Sequence, residues 1–158
     1  IPFNLHDGID STLLILKHRL KANETRPEIE VITHYDQIPQ VECFAGQLNQ
    51  VFMNILANAI DAIDECFLKD KKRNGEIQIC TEVLDRSVMI RIKDNGMGMS
   101  EEVRARIFDH LFTTKGVGKG TGLGLAIARQ IVEETHNGKL SCYSTLGKGT
   151  EFAIAIPL

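Results

Sequence analysis

Apolar residues recur at helical spacing in three long stretches of the chain. The first runs from Asn4 to about Lys21, and the second, which is the longest, runs from Gly46 to about Phe67. The third runs from Gly122 to about His136 and starts inside a glycine-dense segment. A shorter helix is indicated after Ser100, because a hydroxyl followed by two glutamates favours a helix N-terminus. The spacing therefore predicts three principal helices and one short helix.

Segments in which apolar and polar residues alternate, as in half-buried strands, lie between these helices. Asp85-Arg86-Ser87 joins two of them, so we expect a β-hairpin at that point. Since helices and strands follow one another in mixed order, we expect one domain over residues 1–158. Its predicted fold is an α/β (α+β) two-layer sandwich, with a mixed, mostly antiparallel sheet covered on one face by about three helices. The predicted strands are Ile29–Thr33, Val41–Phe44, Glu76–Leu84, Val88–Lys93, Lys139–Ser144 and Thr150–Pro157.

The composition and net charge of the chain indicate which classes of partner, such as nucleic acids and membranes, this domain would not bind. The chain of 158 residues is 43% hydrophobic, and its 18 Lys and Arg against 21 Asp and Glu leave a formal net charge of −3. These values are typical of a globular domain, and they predict no nucleic-acid binding and no membrane contact by this domain. The four cysteines form no C-x-x-C pair, so we expect free thiols in a cytoplasmic protein. We also expect the isolated domain to be a monomer.

The longest predicted helix carries a narrow stripe of amide side chains. Gln47, Gln50, Asn54, Asn58 and Asp61 fall within an arc of roughly 80° at helical spacing. A solvated helix face usually carries Lys, Glu and Arg, because asparagine competes for backbone hydrogen bonds. The stripe is therefore either an unusual solvent face or a set of oxygen ligands suited to Mg²⁺.

Two glycine-containing segments indicate contacts with a nucleotide. Asp94-Asn95-Gly96-Met97-Gly98 follows a predicted strand, where a carboxylate can accept a hydrogen bond from an exocyclic amine, although the pattern also fits a plain turn. The second segment runs into the third helix and favours a phosphate-binding loop, since backbone N–H groups at a helix start attract polyphosphate. It matches neither a Walker A motif nor a Rossmann fingerprint. Its alternating glycines are Gly116, Gly118, Gly120, Gly122 and Gly124.

Taken in this order, the motifs closely resemble the ATP-binding catalytic domain of sensor histidine kinases, which shares a superfamily with gyrase, the heat-shock chaperone and mismatch-repair ATPases. Asn54–Ala59 resembles the N box and Asp94–Gly98 the G1 box. Ile107–Lys115 resembles the F box, Gly118–Leu125 the G2 box, and Gly147–Thr150 the last glycine motif. The resemblance covers essentially the whole chain.

The resemblance implies a Bergerat-type ATP-binding fold, with ATP and Mg²⁺ as cofactors and a role for each matching residue. Asn58 would bind Mg²⁺ with support from Asn54, and Asp94 would accept the adenine amine. Phe108 and Phe112 would hold the lid, and Lys115 would either contact the γ-phosphate or face solvent in a hinge. The implied catalytic residues are Asn54, Asn58 and Lys115. The implied nucleotide-binding residues are Asn58, Asp61, Asp94, Gly96, Gly98, Met99, Phe108, Thr113, Thr114, Lys115, Gly118, Gly120, Thr121, Gly122, Leu123, Gly124, Leu125 and Thr150.

One departure separates the branches of this superfamily. Gyrase-type ATPases and anti-sigma serine kinases resemble the pattern but carry a glutamate four residues before the N-box asparagine, as a general base. Here that position is Asn54, whose amide cannot take a proton, so hydrolysis and serine phosphorylation lose their base. A neutral imidazole needs less help, because it is already a nucleophile near pH 7.

None of the five histidines has the acidic neighbour and nearby proline of a phosphoacceptor histidine. The sequence therefore predicts the catalytic domain of a longer or split two-component kinase, which transfers the γ-phosphoryl group of ATP to a histidine on a separate dimerisation domain. The implied partners are that phosphotransfer domain and a downstream response regulator, and the sequence leaves open whether a membrane anchors the parent protein. The alternatives are an ATP-binding switch module without catalysis and a clamp-type ATPase.

Overall fold

The computed structural model describes residues 1–24, 26–69, 74–109 and 124–158. Its helices are α1 (Leu5–Ile15), α2 (Lys17–Leu20), α3 (Ala45–Lys69), α4 (Glu101–Arg104) and α5 (Gly124–Gln130), and α5 continues into a π-helical segment, Ile131–Thr135. Its strands are β1 (Pro2–Phe3), β2 (Glu30–Tyr35), β3 (Val41–Glu42), β4 (Glu76–Leu84), β5 (Ser87–Asp94), β6 (Lys139–Thr145) and β7 (Gly149–Pro157). Among these helices none is long and apolar enough to cross a bilayer.

The main sheet has five strands in the order β2-β4-β5-β7-β6. Strands β2 and β4 are parallel, and the other three pairs are antiparallel. A second, two-stranded sheet joins β1 to β3, and the alternation of the sequence did not predict β1. The mixed, mostly antiparallel sheet with helices packed against it confirms the predicted fold class.

One face of the sheet forms the core with α3. Along β4, β5 and β7 every second side chain is buried, as a strand with one covered face requires. Helix α3 supplies the opposing apolar surface, including Phe52, Ile55 and Ile60, none of which is exposed to solvent. The face of α3 that carries the amide stripe is therefore turned away from this packed surface.

Helix α1 lies beside α3 and begins as predicted, because the Asn4 side chain accepts a hydrogen bond from the His6 backbone N–H at 3.0 Å. The expected continuous helix to Lys21 is interrupted at Leu16, whose backbone leaves the helical range before α2 begins. Gly8 allows close packing on α3, since a Cβ there would lie 2.4 Å from the Asn49 side-chain oxygen.

A buried arginine, Arg26, joins the segment after α2 to helix α3 through hydrogen bonds. Arg26 is only 5% exposed, and its guanidinium donates to the carbonyls of Lys21 and Pro27 at 2.9 and 3.0 Å. It also donates to the Arg19 carbonyl and to the Asp64 carboxylate on α3. Because these acceptors surround the side chain, burial leaves its charge paired.

The third predicted helix is also interrupted, since its last described turn is π-helical rather than α-helical. His136 follows this turn, and its Nδ1 donates to the Ile131 carbonyl at 2.9 Å. Its Nε2 accepts the Phe44 backbone N–H at 3.1 Å, immediately before α3 begins. The imidazole thereby joins the end of one helix to the start of another, a contact that the sequence did not predict.

The predicted hairpin between β4 and β5 is confirmed. Its two turn residues, Asp85 and Arg86, have positive φ values of 51° and 63°. Positive φ at both central residues is the pattern of a type I′ turn, which matches the twist of the strands that it joins. Arg86 therefore adopts a left-handed conformation that L side chains disfavour.

We expect Arg86→Gly to raise the free energy of unfolding by roughly 0.5–1 kcal/mol, because glycine removes the left-handed strain at a smaller entropic cost. The hydrogen bond from the Leu158 N–H to the carbonyl of residue 86 is kept, since it is a backbone contact. Urea unfolding measures the change. Ser87→Gly is the matched control, because that position begins β5 and should lose stability. Equal changes at both positions would contradict the turn assignment.

Candidate nucleotide-binding site

Asp94 is the buried acidic group at the centre of the candidate site. It is the last residue of β5, and only 3% of it is exposed. Its carboxylate accepts the Gly96 backbone N–H at 2.8 Å and a second N–H from Thr150 on the neighbouring strand β7. These two backbone donors fix the orientation of the carboxyl group at the strand end.

Burial raises the pKa of Asp94 from 3.8 to about 6, although the two backbone donors act in the opposite direction. Loss of hydration therefore outweighs the hydrogen bonds that favour the ionised form. Perturbed carboxyl groups of this kind concentrate at functional sites, because a buried acceptor gains more from a ligand donor than an exposed one does.

The loop that follows Asp94 packs closely against the backbone of α3 and β6. A Cβ on Gly96 would lie 2.7 Å from the Ala62 carbonyl carbon, so the turn after β5 contacts α3 one turn beyond Asn58. Gly98 has a φ of +68°, and a Cβ there would lie 2.1 Å from the Thr145 carbonyl oxygen. The loop after Asp94 is therefore held between α3 and the end of β6, and both approaches exclude a side chain.

A serine that the sequence analysis missed joins this loop to β7. The Ser144 hydroxyl accepts the Met99 backbone N–H at 2.8 Å and lies 2.8 Å from the Thr150 hydroxyl. The Gly149 carbonyl lies 3.1 Å from the same hydroxyl as a further acceptor. Thr150, which was predicted from the last glycine motif, is buried beside Asp94 on β7. No motif marks Ser144, because its role depends on the pairing of β6 with β7.

The amide stripe of α3 divides into residues with different partners. The Asn54 Nδ2 donates to the Gly124 carbonyl at 3.0 Å and so joins α3 to the first residue of α5. The Asp61 carboxylate accepts a hydrogen bond from Arg19 of α2 at 2.6 Å, so its nucleotide role remains a prediction. Asn58 lies between them, and its side chain makes no hydrogen bond within the described part of the chain.

Asn58 fits the requirements of a magnesium ligand. It is partly buried on α3, one turn before the contact of Gly96 with Ala62, and its amide oxygen is not used by a described residue. Hard divalent cations prefer such oxygen ligands. The described residues contain no cluster of three His, Cys, Asp or Glu side chains that could hold a metal by themselves. A metal at Asn58 would therefore depend on the phosphate oxygens of a nucleotide for further ligands.

Phe108 lies where the predicted lid segment begins. Its ring packs edge-on against Phe152 of the core at a centroid distance of 6.4 Å, and the Arg129 guanidinium lies 5.2 Å from its centroid. Leu125, on α5, also packs against the core. The remaining predicted lid residues lie outside the described residues. They are Phe112, Thr113, Thr114, Lys115, Gly118, Gly120, Thr121, Gly122 and Leu123.

Residues predicted from three separate motifs, the N box, the G1 box and the last glycine motif, thus lie close together in the fold. The loop with Gly96, Gly98 and Met99 contacts both α3 and β6, and Thr150 pairs with Asp94. Such an arrangement offers a buried hydrogen-bond acceptor, Asp94, beside a helix whose Asn58 amide is not engaged by a described residue. It suits a ligand that has an amine at one end and metal-bound anions at the other.

Comparison with known proteins defines the class to which this fold and site belong. Residues 45–158 match the family described as Histidine kinase-, DNA gyrase B-, and HSP90-like ATPase. This range covers more than half of the chain and includes all the motifs described above. The chain therefore belongs to this ATPase family.

Its relatives within the family are sensor kinases. Sporulation kinase E of Bacillus subtilis (strain 168) is 36% identical over 148 residues, which are 93% of this chain and 18% of that protein. The catalytic domain of histidine kinase ThkA is 30% identical with a TM-score of 0.81, over 99% of this chain and 96% of that domain. Histidine kinase ThkA in complex with response regulator protein TrrA gives a TM-score of 0.77 at 27% identity, over 99% of this chain and 41% of that one.

The chain spans less than a third of the length of the curated relatives that it matches. These comparisons confirm that it resembles the ATP-binding catalytic domain of sensor histidine kinases.

We expect Asp94→Asn to weaken ATP binding at least tenfold, about 1.4 kcal/mol, because the amide lacks the charge that strengthens an acceptor. The same change should stabilise the fold at pH 7.5 by on the order of 2–3 kcal/mol, since it removes a buried carboxylate whose pKa is raised from 3.8 to about 6. Calorimetric titration with ATP and thermal unfolding measure the two effects.

The sign of the pH dependence follows from linkage. The folded state holds a proton on Asp94 up to about pH 6, whereas the unfolded chain releases it near 3.8, so the wild type loses stability as pH rises between these values. The stability gap between Asp94→Asn and the wild type should therefore narrow as pH falls from 6 towards 4. Asp36→Asn, at an exposed carboxylate, is the control. A constant gap would show that Asp94 is not a buried, raised-pKa group.

Gly98→Ala should destabilise the domain by more than 2 kcal/mol, because it combines a positive φ with a Cβ placed 2.1 Å from a backbone oxygen. Gly46→Ala is the matched control, since a Cβ there meets nothing within 4 Å and lies in helix α3, where alanine is favoured. Urea unfolding of both variants provides the comparison. A loss in Gly98→Ala no larger than in the control would refute the close approach of this loop to β6.

Proposed function

We propose that this chain binds Mg-ATP and transfers its γ-phosphoryl group to a histidine on a separate domain, as the catalytic half of a two-component kinase. The observation that carries the proposal is the side chain at position 54. It is an amide whose NH₂ group donates to the Gly124 carbonyl at 3.0 Å. Membership of the ATPase family supports ATP as the nucleotide, and relatives named as histidine kinases support the transfer.

The amide at Asn54 disfavours hydrolysis. A general base must hold an unpaired proton acceptor next to the attacking water, and an amide does not take up that proton. Its NH₂ group is already used to join α3 to the start of α5, a contact that a carboxylate would replace with repulsion from the Gly124 carbonyl. Asn54 is therefore a positioning residue for the helix that follows the predicted lid.

A histidine acceptor fits a site without a base. The neutral imidazole presents an unprotonated nitrogen near pH 7, which attacks the γ-phosphorus while the bond to the β-phosphate oxygen breaks. ADP leaves with that oxygen, and the phosphorylated ring loses the proton from its other nitrogen. The chain then has to position and neutralise the phosphates rather than move a proton.

In this proposal Asp94 is the residue that recognises adenine. Its buried carboxylate would accept the exocyclic amine, and the N–H donors from Gly96 and Thr150 hold the carboxyl plane in place. Ser144 and Thr150, whose hydroxyls lie 2.8 Å apart, would complete the polar edge of the base pocket. A purine with a carbonyl at the same position would place two acceptors against each other, which favours ATP over GTP.

Asn58 would hold Mg²⁺ through its amide oxygen, with phosphate oxygens as further ligands. When bound, the metal supplies neutralisation of the phosphate charge. The roles of Lys115 and of the glycines from Gly118 to Gly124 follow from the resemblance, and apart from Gly124 these residues lie outside the described range. They remain predictions for phosphate contact.

The partners in this proposal are a helical dimerisation domain with the acceptor histidine and a response regulator. ThkA, a relative, has been solved in complex with the response regulator TrrA, which supports a regulator downstream. Among the described histidines, His6 and His136 are engaged in hydrogen bonds to Thr81, Phe44 and Ile131. These engagements disfavour His6 and His136 as acceptors.

The decisive experiment mixes the chain with γ-labelled ATP, Mg²⁺ and a separately expressed dimerisation domain from a sensor kinase. We expect no label on the chain alone, and an acid-labile, base-stable label on the partner, as a phosphoramidate requires. Asn58→Ala should reduce the transfer at least a hundredfold and remove the Mg²⁺ dependence of ATP binding, because the lost oxygen serves the metal.

Gln50→Ala is the matched control, since Gln50 is an exposed amide on the same helix and should retain full transfer. Brisk release of phosphate by the chain alone would instead support a clamp-type ATPase. Tight ATP binding without transfer to any histidine-bearing partner would support a switch module.

A further inference from the structure

Strand β2 forms one edge of the main sheet, and its outer side has no partner within the described residues. The sheet order places β2 first, paired only with β4. The Glu30 and Asp36 backbone N–H groups donate to Gly75 and Thr81, so the even-numbered residues face β4. In a parallel ladder the alternate residues face the other way. The backbone groups of Val31, Thr33 and Tyr35 therefore point outward.

The residues of this edge favour pairing rather than prevent it. Edge strands are usually protected by lysine, proline, a bulge or a covering segment. Here the five residues from 31 to 35 are Val-Ile-Thr-His-Tyr. They include no lysine, arginine, aspartate, glutamate or proline. Their register with β4 is continuous, without a bulge. Such an uncharged edge of β-branched and aromatic residues is a template for a further strand.

An apolar groove of about 860 Å³ runs beside the same edge, between α1 and the beginning of β2. Leu13 and Leu14 line it from α1, Val31 lines it from β2, and Ile29 lines it just before that strand. Leu14 is 69% exposed, which is unusual for a leucine on a helix that packs against a core. A strand added to β2 would direct every second side chain towards this groove. One extended segment would thus satisfy the open backbone groups and cover the exposed leucine.

The charged side chains around the β2 edge indicate the charge of the segment that would bind there. Glu28 and Glu30 precede the uncharged run and Asp36 follows it, all three are exposed, and none forms an ion pair with a described residue. Asp10, which accepts the Tyr35 hydroxyl at 2.9 Å, adds a carboxylate on the groove side. Lys17 and Lys21 also line the groove, so four carboxylates outnumber two ammonium groups around this edge and the surface stays net acidic. Lysine or arginine at both ends of an added strand would meet these carboxylates.

The same charges disfavour a second copy of this chain. Symmetric antiparallel pairing of two β2 edges centred on Thr33 would place Glu30 of each copy directly opposite Asp36 of the other. Like charges in directly opposed positions destabilise a strand pair. Full in-register pairing of two copies is therefore disfavoured, and the charges favour a different polypeptide segment as the occupant.

We propose that the outer edge of β2 and its groove bind an extended polypeptide segment as a sixth strand. The segment has alternating apolar residues and a basic residue at each end. Backbone hydrogen bonds to Val31, Thr33 and Tyr35 give the pairing, and apolar side chains on the Leu14 groove give the selectivity. This site lies on an outer strand of the sheet and is independent of the proposed phosphoryl transfer.

The test uses a labelled synthetic peptide, acetyl-Lys-Val-Thr-Val-Thr-Val-Lys-amide, and a control peptide with glutamate at both ends. Hydrogen exchange on the wild type should slow at the amides of Val31, Thr33 and Tyr35 when the first peptide is added. The amides of Ile32 and His34, which already face β4, serve as internal controls and should not change. Protection elsewhere, or at none of these amides, would overturn the proposal.

Thr33→Pro tests the edge directly, because it removes one outward N–H and leaves the β4 pairing intact. We expect at least tenfold weaker peptide binding by fluorescence anisotropy, whereas Thr33→Val, which keeps the N–H, should bind as the wild type does. If Thr33→Pro fails to fold, the exchange pattern of the wild type decides. Unchanged binding by folded Thr33→Pro would overturn the strand assignment.

Two further results would contradict the proposed identity of the bound segment. Equal binding of the glutamate-flanked peptide would refute the charge argument, since that peptide should bind at least fivefold more weakly. Sedimentation that reveals a dimer abolished by Thr33→Pro would identify a second copy as the occupant and would overturn the proposal of a different segment. ATP affinity of both Thr33 variants should equal that of the wild type, which separates this test from that of the nucleotide site.

Discussion

The burial of one carboxyl group at the end of β5 constrains the arrangement around it. Asp94 loses its hydration, and two backbone N–H groups, from Gly96 and Thr150, replace only part of it. Those donors reach the carboxylate because β5 and β7 keep a register in which Asp94 faces Thr150. A Cβ on Gly149 would lie 2.0 Å from the Asp94 carbonyl oxygen, so the strand pair also excludes a side chain beside it. The site thus depends on sheet register as much as on the acid itself.

Helix α3 connects this site to the stability of the domain. One side of it carries core residues such as Phe52 and Ile55, and another carries the amides of the N box. Ala62 receives the loop with Gly96, and Asn54 holds the first residue of α5. A shift of α3 would therefore move the candidate metal ligand, the candidate base pocket and the helix after the predicted lid together. This shared support holds groups from distant motifs in one geometry.

The sheet serves two purposes at different strands. Its inner strands β5 and β7 fix the candidate nucleotide pocket, whereas the edge strand β2 has an uncharged edge beside the exposed Leu14. A segment that pairs with β2 would extend the sheet without displacing the strands that carry Asp94 and Thr150. Such a surface would let a partner bind apart from the candidate nucleotide site, since the two sites share no described side chain.

The sequence alone determined the principal helical stretches, the five strands of the main sheet, the hairpin at Asp85 and Arg86, and the motif residues, because periodicity and turn chemistry act between near neighbours. It did not predict the short strand β1. It also determined that position 54 lacks a base. The tertiary structure decided the rest: the breaks at Leu16 and Ile131, the partners of Arg26 and His136, the pairing of Asp61 with Arg19, and the role of Ser144. Each of these depends on residues that lie far apart in the chain, such as Phe44 and His136, 92 positions apart. Local propensity carries no information about which distant groups meet, since packing and strand register establish those contacts only when the whole core forms.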